Sequence, residues 1–311
     1  MVSIIIPCYN AQQTLREAIE SALSQTLAEK EIIVIDDGSS DQSFEIIRSF
    51  GDRIRYETGP NRGAPAARNR GLELARGDRI QFLDADDILY PDKLSIQDAL
   101  LEDSGADMVF CNGERESEGN TAPRALYKSP PNLSDPLLFA LREQIPILAP
   151  LHRREALVAA GGFRLPLPCA QERDLHIRLA CASATWTYHP DVLFRIRRQS
   201  ESLSANYLSV LDQHLDIARH ASGILRASGR LTDPRSRALA EFLARDARHY
   251  FQRGRPEQGY AYLRGARSMH PEGGLSVYGP AARIMLRLLG PRLTEQLSGF
   301  RRRSVKRPSP A

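Results

Sequence analysis

Asp84-Ala85-Asp86-Asp87 puts three carboxylates within four positions, directly after the apolar run Ile80-Gln81-Phe82-Leu83. The run has the length and composition of a short buried strand. In an open α/β sheet the C-terminal ends of strands are where ligands bind. Like charges crowded there are costly unless something cationic shares the site. A divalent ion carrying a phosphate group answers that need, because Mg²⁺ or Mn²⁺ takes oxygen ligands and leaves positions for substrate phosphates. Taken alone, the triplet also fits a solvated acidic turn before the helix that starts near Pro91.

Two other acidic loops carry candidates for chemistry. Asp36-Asp37-Gly38-Ser39-Ser40-Asp41 follows the strand Glu31–Ile35. A Pro-rich loop leads to Gln171-Glu172-Arg173-Asp174, with Glu172 expected in the loop just before a helix that Asp174 begins and that runs through Ala182. Asp41 is placed to cap a helix through Phe50. Asp87 reads as a cap of the following turn, and Asp174 as a cap or loop-fixing group.

The elements that must position these loops can be read in order. Val2–Ile6 is a β-branched strand ended by Pro7, followed by Tyr9 and Asn10 and a helix from Thr14 to about Gln25. Ile54–Glu57 is a short third strand, Pro65 sits in the first turn of a helix to Ala75, and Asp107–Cys111 is a fifth strand. Alternating strands and helices with short connections predict right-handed crossovers and a largely parallel sheet. The acidic loops after the second and fourth strands then share its ligand edge.

The second half is less sharply patterned. Glu114–Asn132 is polar and interrupted by prolines, and predicts an excursion. Helices are expected at Pro136–Glu143 and Arg153–Ala160, the latter closed by Gly161-Gly162-Phe163, and strands at Trp186–His189 and Val192–Arg197. From Asn206 the chain reads as helical. Ala247, Tyr250, Phe251, Gly254, Tyr260, Leu263, Ala266 and Pro271 follow the order of one tetratricopeptide-type helix pair, expected as a hairpin against the catalytic body. The organisation read from this is residues 1–205, a helical appendage over 206–299, and a basic disordered tail over 300–311.

Composition narrows the function classes. The 311 residues are 42% hydrophobic and 26% charged, as in soluble globular proteins. The net charge of +4 is outweighed by five cations in the tail alone, Arg301, Arg302, Arg303, Lys306 and Arg307. No basic stripe interleaved with aromatics marks a nucleic-acid surface. Cys8, Cys111, Cys169 and Cys181 lack metal-ligand spacing and suit reduced thiols. A strand starting at Val2 and the lack of a bilayer-length apolar run predict a cytoplasmic protein. Ala281–Leu289, with apolar and Arg positions interleaved, and the basic tail fit either a packed terminal helix with a solvated tail or peripheral contact with the inner face of a membrane.

Val2-Ser3-Ile4-Ile5-Ile6-Pro7-Cys8-Tyr9-Asn10 resembles the opening of family 2 glycosyltransferases. So do Ile35–Asp41, Asn61-Arg62-Gly63 with Ala67-Arg68-Asn69-Arg70-Gly71, Asp84–Asp87, Gly161-Gly162-Phe163 and Gln171–Leu175, in that order over residues 1–205. The resemblance implies a GT-A fold: a Rossmann-like α/β sheet flanked by helices. It also implies a nucleotide-diphosphate sugar donor, a divalent metal, and transfer with inversion to a glycan or lipid-linked acceptor.

Its motifs map onto this chain residue by residue. Pro7, Tyr9, Asp37, Arg68, Asp84 and Ala85 are the expected donor contacts. Tyr9 would stack on the base, and Asp37 would accept from a uracil N–H, which points to a UDP-sugar. Arg68 would pair with the diphosphate or with an acidic loop. Asp84 would hold sugar or ribose hydroxyls, Asp86 the Mn²⁺ or Mg²⁺, and Glu172 would be the general base. Gln199 stands before Ser202-Leu203-Ser204 where the family often has His, so a further metal ligand is missing there. A sugar nucleotidyltransferase shares the topology but opens with a Gly-rich basic loop, which Pro7-Cys8-Tyr9-Asn10 is not. A catalytically silent sugar-nucleotide binding module is the other alternative, and Asp86 with Glu172 argues against it.

Overall fold

The computed structural model of the chain describes residues 1–116, 124–165, 167–197 and 207–304. They belong to two compact units, Met1–Ala205 and Asn206–Ala311.

The β-branched opening forms β1 (Val2–Cys8), buried along its whole length. Strand and helix then alternate through α1 (Leu15–Leu23), β2 (Lys30–Asp36), α2 (Ser43–Arg48), β3 (Arg55–Thr58), α3 (Ala64–Leu74) and β4 (Arg79–Phe82). β1 pairs in parallel with β2 and β4, and β2 with β3. Their C-terminal ends therefore lie along one edge. Pro7 does not end β1, as expected from sequence; it sits in register with Ile35. The carbonyl of Ile5 accepts from Leu83 while that of Cys8 accepts from Asp37. Pro7 therefore faces the side where β4 has already ended, and its missing N–H breaks no ladder.

The second half of the unit departs from the expected parallel order. It contains β5 (Ile88–Leu89), α4 (Lys93–Ser104), β6 (Met108–Arg115), β7 (Arg124–Ala125), α5 (Pro136–Arg142), β8 (Pro150–Arg153), α6 (Arg154–Ala159), α7 (Gln171–Cys181) and β9 (Trp186–Ile196). The strand order is β3-β2-β1-β4-β8-β6-β9-β5, with β7 beside β6. β8 runs antiparallel between β4 and β6, so the sheet is mixed. A helix was expected to begin at Arg153, but Pro150–Arg153 pairs as a strand and the helix starts one residue later. The two expected strand segments are one strand. His189 lies opposite Cys111 and Val192 opposite Asn112, so Pro190 and Asp191 bulge out between them.

A buried polar network closes the seam where β8 enters. Lys93, fully buried, donates to Gln81 Oε1 at 2.5 Å and to Gln97 Oε1. Gln81 donates to the Leu148 carbonyl at 3.0 Å, and Gln97 to those of Val109 and Ala149 at 2.8 and 2.9 Å. Burial lowers the Lys93 ammonium to about 8, and two amide oxygens offset part of its desolvation.

The second unit is helical: α8 (Tyr207–Ala227), α9 (Asp233–Gln252), α10 (Pro256–Met269) and α11 (Pro280–Ser304). The tetratricopeptide-like window falls on the hairpin of α9 and α10. α11 kinks at Gly290 (φ 73°, ψ 169°), just before Pro291. It runs past Phe300 into the stretch expected to be disordered. Gln199, Ser202–Ser204, Lys306 and Arg307 lie outside the described residues. No helix among the described residues is long and apolar enough to cross a membrane.

Candidate active site

The chain leaves β4 at Phe82, turns at Asp84 with the Asp87 N–H donating to its carbonyl, and re-enters the sheet as β5. That tight turn packs the carboxylates of Asp84, Asp86 and Asp87 so that their oxygens lie within 4.8 Å of one another. Each is fixed differently. Asp84 Oδ1 pairs with Arg68 Nη2 from α3 at 2.6 Å. Asp87, buried, accepts from the backbone N–H of Arg197 at 3.0 Å. It therefore ties the end of β9 to this loop instead of capping the following turn, the role expected of it. Asp86 has no ion-pair partner among the described residues.

The electrostatics follow from this crowding. Burial, then the charge of Asp84, raises the Asp86 carboxyl to about 6. Burial with Asp84 and Asp86 nearby holds Asp87 well above the usual carboxylate range. An all-oxygen donor set whose ionisation is opposed by desolvation and mutual repulsion fits a hard divalent cation, Mg²⁺ or Mn²⁺. Among the three, Asp84 is held by Arg68 and Asp87 by the Arg197 backbone N–H, and Asp86, which no described cation pairs with, lies beside them.

Arg68 links this loop to the third acidic segment. Its other terminal nitrogen donates to Gln171 Oε1 at 2.6 Å, and its guanidinium lies 5.4 Å from the Phe163 ring centroid. Arg68 thus meets the acidic loop, one of the two partners offered by sequence. Next to it, Asn69 exchanges two 2.8 Å hydrogen bonds with the backbone of Phe163. Gly162 there has φ +63°, and a Cβ on it would stand 2.6 Å from Asn69 Oδ1.

On the other side of the edge, Tyr9 follows β1 and is 53% exposed, leaving its ring open. Asp37 is buried, and its two oxygens accept from the N–H groups of Arg62 and Gly63 at 2.8 Å each. Each oxygen keeps a further lone pair. Gly38, at φ +78°, brings its backbone against Asn61 N, where a Cβ would sit at 2.9 Å. Asn10 joins the two loops, donating its N–H to Ser39 Oγ at 3.0 Å and accepting from Ser40 N at 2.8 Å.

The two acids of α7 separate clearly. The helix begins at Gln171, so Glu172 lies in its first turn and not in a loop before it. Glu172 Oε1 accepts from the Gln144 amide at 2.5 Å. Asp174 is not a cap: it is 1% exposed and pairs with Arg164 at 3.0 Å and Arg178 at 2.8 Å. Arg178 also donates to the Gly162 carbonyl at 2.7 Å, anchoring α7 to the Gly-Gly-Phe turn. Gln144 and Arg197 belong to none of the motifs that the sequence offers, and their roles arise from partners distant in the chain.

Residues 3–153 match Glycosyl transferase family 2. An uncharacterized glycosyltransferase of Rickettsia prowazekii is 31% identical over 229 residues, 70% of each chain. The chain belongs to the family 2 glycosyltransferases. The UDP-Glc:alpha-D-GlcNAc-diphosphoundecaprenol beta-1,3-glucosyltransferase WfgD of Escherichia coli is 40% identical over 116 residues, 37% of this chain and 46% of that one. For two other Rickettsia relatives the match spans 36% and 35% of their length. In fold, this glycosyltransferase superimposes on S. aureus TarS 1-349 in complex with UDP-GlcNAc. The TM-score is 0.74 at 19% identity, over 97% of this chain and 92% of that one. A mannosyltransferase of Pyrobaculum calidifontis in complex with GDP-Man and Mn²⁺ aligns with a TM-score of 0.52 at 17% identity, over 96% and 86% of the two chains. The GT-A fold and the enzyme class follow.

Removing the charge of Asp174 strands Arg178, whose side chain is 6% exposed. Asp174→Asn is expected to cost about 3–5 kcal/mol, the effect of breaking one side of a buried ion pair. Urea denaturation checks it, and an unchanged midpoint would show that the pair does not hold α7.

Proposed function

We propose that this enzyme transfers a sugar from a UDP-sugar, with inversion, to a hydroxyl of a glycan or lipid-linked glycan. In this reading residues 1–205 carry the catalysis, 206–299 form a helical appendage, and 300–311 form a basic tail. The carrying observation is the division of acids: a crowded trio at the end of β4, and Glu172 standing outside any ion pair among the described residues.

The step follows from those positions. The acceptor hydroxyl attacks the anomeric carbon, its proton passes to Glu172, and the C–O bond to the diphosphate breaks with its electron pair leaving on the nucleotide. One displacement inverts the centre, so one base suffices. Asp174 is buried with both oxygens held by arginines, which supports Glu172 over it as that base. Glu172 has one oxygen toward Gln144 and a second for the proton. A bound Mn²⁺ or Mg²⁺ at Asp86 would supply Lewis-acid neutralisation of charge on the leaving diphosphate. Tyr9 stacks on the base, and Asp37 offers a lone pair to the uracil N–H. Pro7 and Ala85 shape the backbone around the donor, and Asp84, held by Arg68, takes a hydroxyl of the sugar or ribose. The nucleotides of TarS and the donor of WfgD support uridine; the acceptor of WfgD supports a lipid-linked glycan.

The same acceptor class supports membrane contact. Ile284 and Leu288, one turn apart on α11, are 61% and 76% exposed, and the Arg301–Arg303 cluster follows. Each basic residue near anionic lipid is worth about 1 kcal/mol.

Three outcomes are expected. UDP at one hundred times its Kd raises stability by about 2.7 kcal/mol, more with Mn²⁺ than in EDTA, and Asp86→Ala removes the metal-dependent part. Calorimetry in which EDTA leaves UDP affinity unchanged would refute the metal assignment. Glu172→Gln lowers turnover about 10²–10⁴-fold with donor affinity retained; near-normal transfer by it, beside a folded but inactive Asp174→Asn, reverses the choice of base. The full chain co-sediments with phosphatidylglycerol vesicles and the 1–299 protein does so less, whereas equal binding excludes the tail.

A further inference from the structure

Residues 126–135 and one side of α5 enclose an open groove of about 410 Å³. That size falls within the range of small-molecule sites. Its lining includes Tyr127, Phe139, Lys128, Asn132, Ser134 and Arg142. Tyr127 is half-buried, with its ring centroid 6.0 Å from that of Phe110, 6.3 Å from Phe139 and 5.8 Å from Tyr188. The ring is therefore a fixed platform. Lys128 and Arg142 are balanced by Asp135 and Glu143 in the same lining, so the groove has no net charge.

One residue connects the groove to the catalytic acid. Gln144 follows the last turn of α5, and its carbonyl accepts from the Tyr127 hydroxyl at 3.4 Å. Its side-chain amide donates to Glu172 at 2.5 Å. The aromatic wall and the carboxylate thus hold the same residue from opposite ends. A rigid aromatic face with amide, hydroxyl and charged groups around it matches a sugar ring, which offers a C–H face and a rim of hydroxyls. Absence of net charge disfavours a phosphate as occupant.

We propose that this groove binds the acceptor as a neutral pyranose unit, its C–H face on Tyr127 and its reacting hydroxyl toward Glu172. The assignment rests on Glu172 as the base. Gln144 is then a positioning residue, keeping the carboxylate beside the bound sugar.

Saturation-transfer difference NMR tests it on the full chain with UDP present. The probes are the methyl glycosides of glucose, galactose, mannose and N-acetylglucosamine. At least one is expected to receive magnetisation from the protein, with affinity about tenfold weaker in Tyr127→Ala and in Arg142→Ala, as for loss of one central contact. Glu172→Gln is expected to keep this binding while losing turnover. A Glu172→Gln enzyme that keeps both would displace the base and leave the groove standing. Because Tyr127 is part of an aromatic cluster, Tyr127→Phe and the exposed Arg142→Ala separate a lost platform from a lost fold; Tyr127→Phe is expected to bind like the wild type. No contact to any of the four glycosides in the wild type, or unchanged affinity in Arg142→Ala and Tyr127→Ala, overturns the proposal.

Discussion

Charge crowding at the end of β4 sets the arrangement of the catalytic unit. Three carboxylates with oxygens within 4.8 Å cannot all ionise in a half-buried turn without help. Arg68 answers for Asp84, and the Arg197 backbone N–H for Asp87. These two partners come from α3 and from the end of β9, so the loop is tied to elements far apart in sequence. Asp86 is left as the acid that a cation would serve best, and burial raises it to about 6 for the same reason.

A loop under such repulsion needs a rigid strand behind it. β4 has one parallel neighbour, β1, and one antiparallel neighbour, β8, and the change of direction is filled by Lys93, Gln81 and Gln97. Those side chains donate to the carbonyls of residues 148, 149 and 109. A buried ammonium without its amide partners would be costly, so the network also fixes the register of β8 against β6.

α7 shows how two acids two positions apart acquire different work. A helix turns 100° per residue, so positions 172 and 174 point about 200° apart. Asp174 faces inward, onto Arg164 and Arg178, and holds the helix. Glu172 faces the segment after α5, and meets only Gln144 among the described residues. The Arg68–Gln171 bond then fixes the start of α7 relative to the Asp84–Asp87 turn.

Much of this was legible in the chain itself. Runs such as Val2–Ile6 and Glu31–Ile35 followed by Asp, Gly and Ser announce buried strands ending in ligand loops, because continuous apolar stretches need burial on both faces and loops need turn chemistry. The order of the motifs carried the family. What stayed hidden depends on partners distant in sequence. Pro150–Arg153 becomes a strand only because β4 and β6 flank it. Pro7 stays in β1 because β4 stops short of it. Asp87 and Asp174 look like caps in a linear reading, since a cap is the commonest local use of a short acid. Folding brings Arg197 from 110 positions away, and Arg164 from a loop, to give them other roles. Residue type and spacing therefore determined which groups could do chemistry; tertiary packing decided which of them hold the scaffold, because only burial and long-range partners distinguish one carboxylate from another.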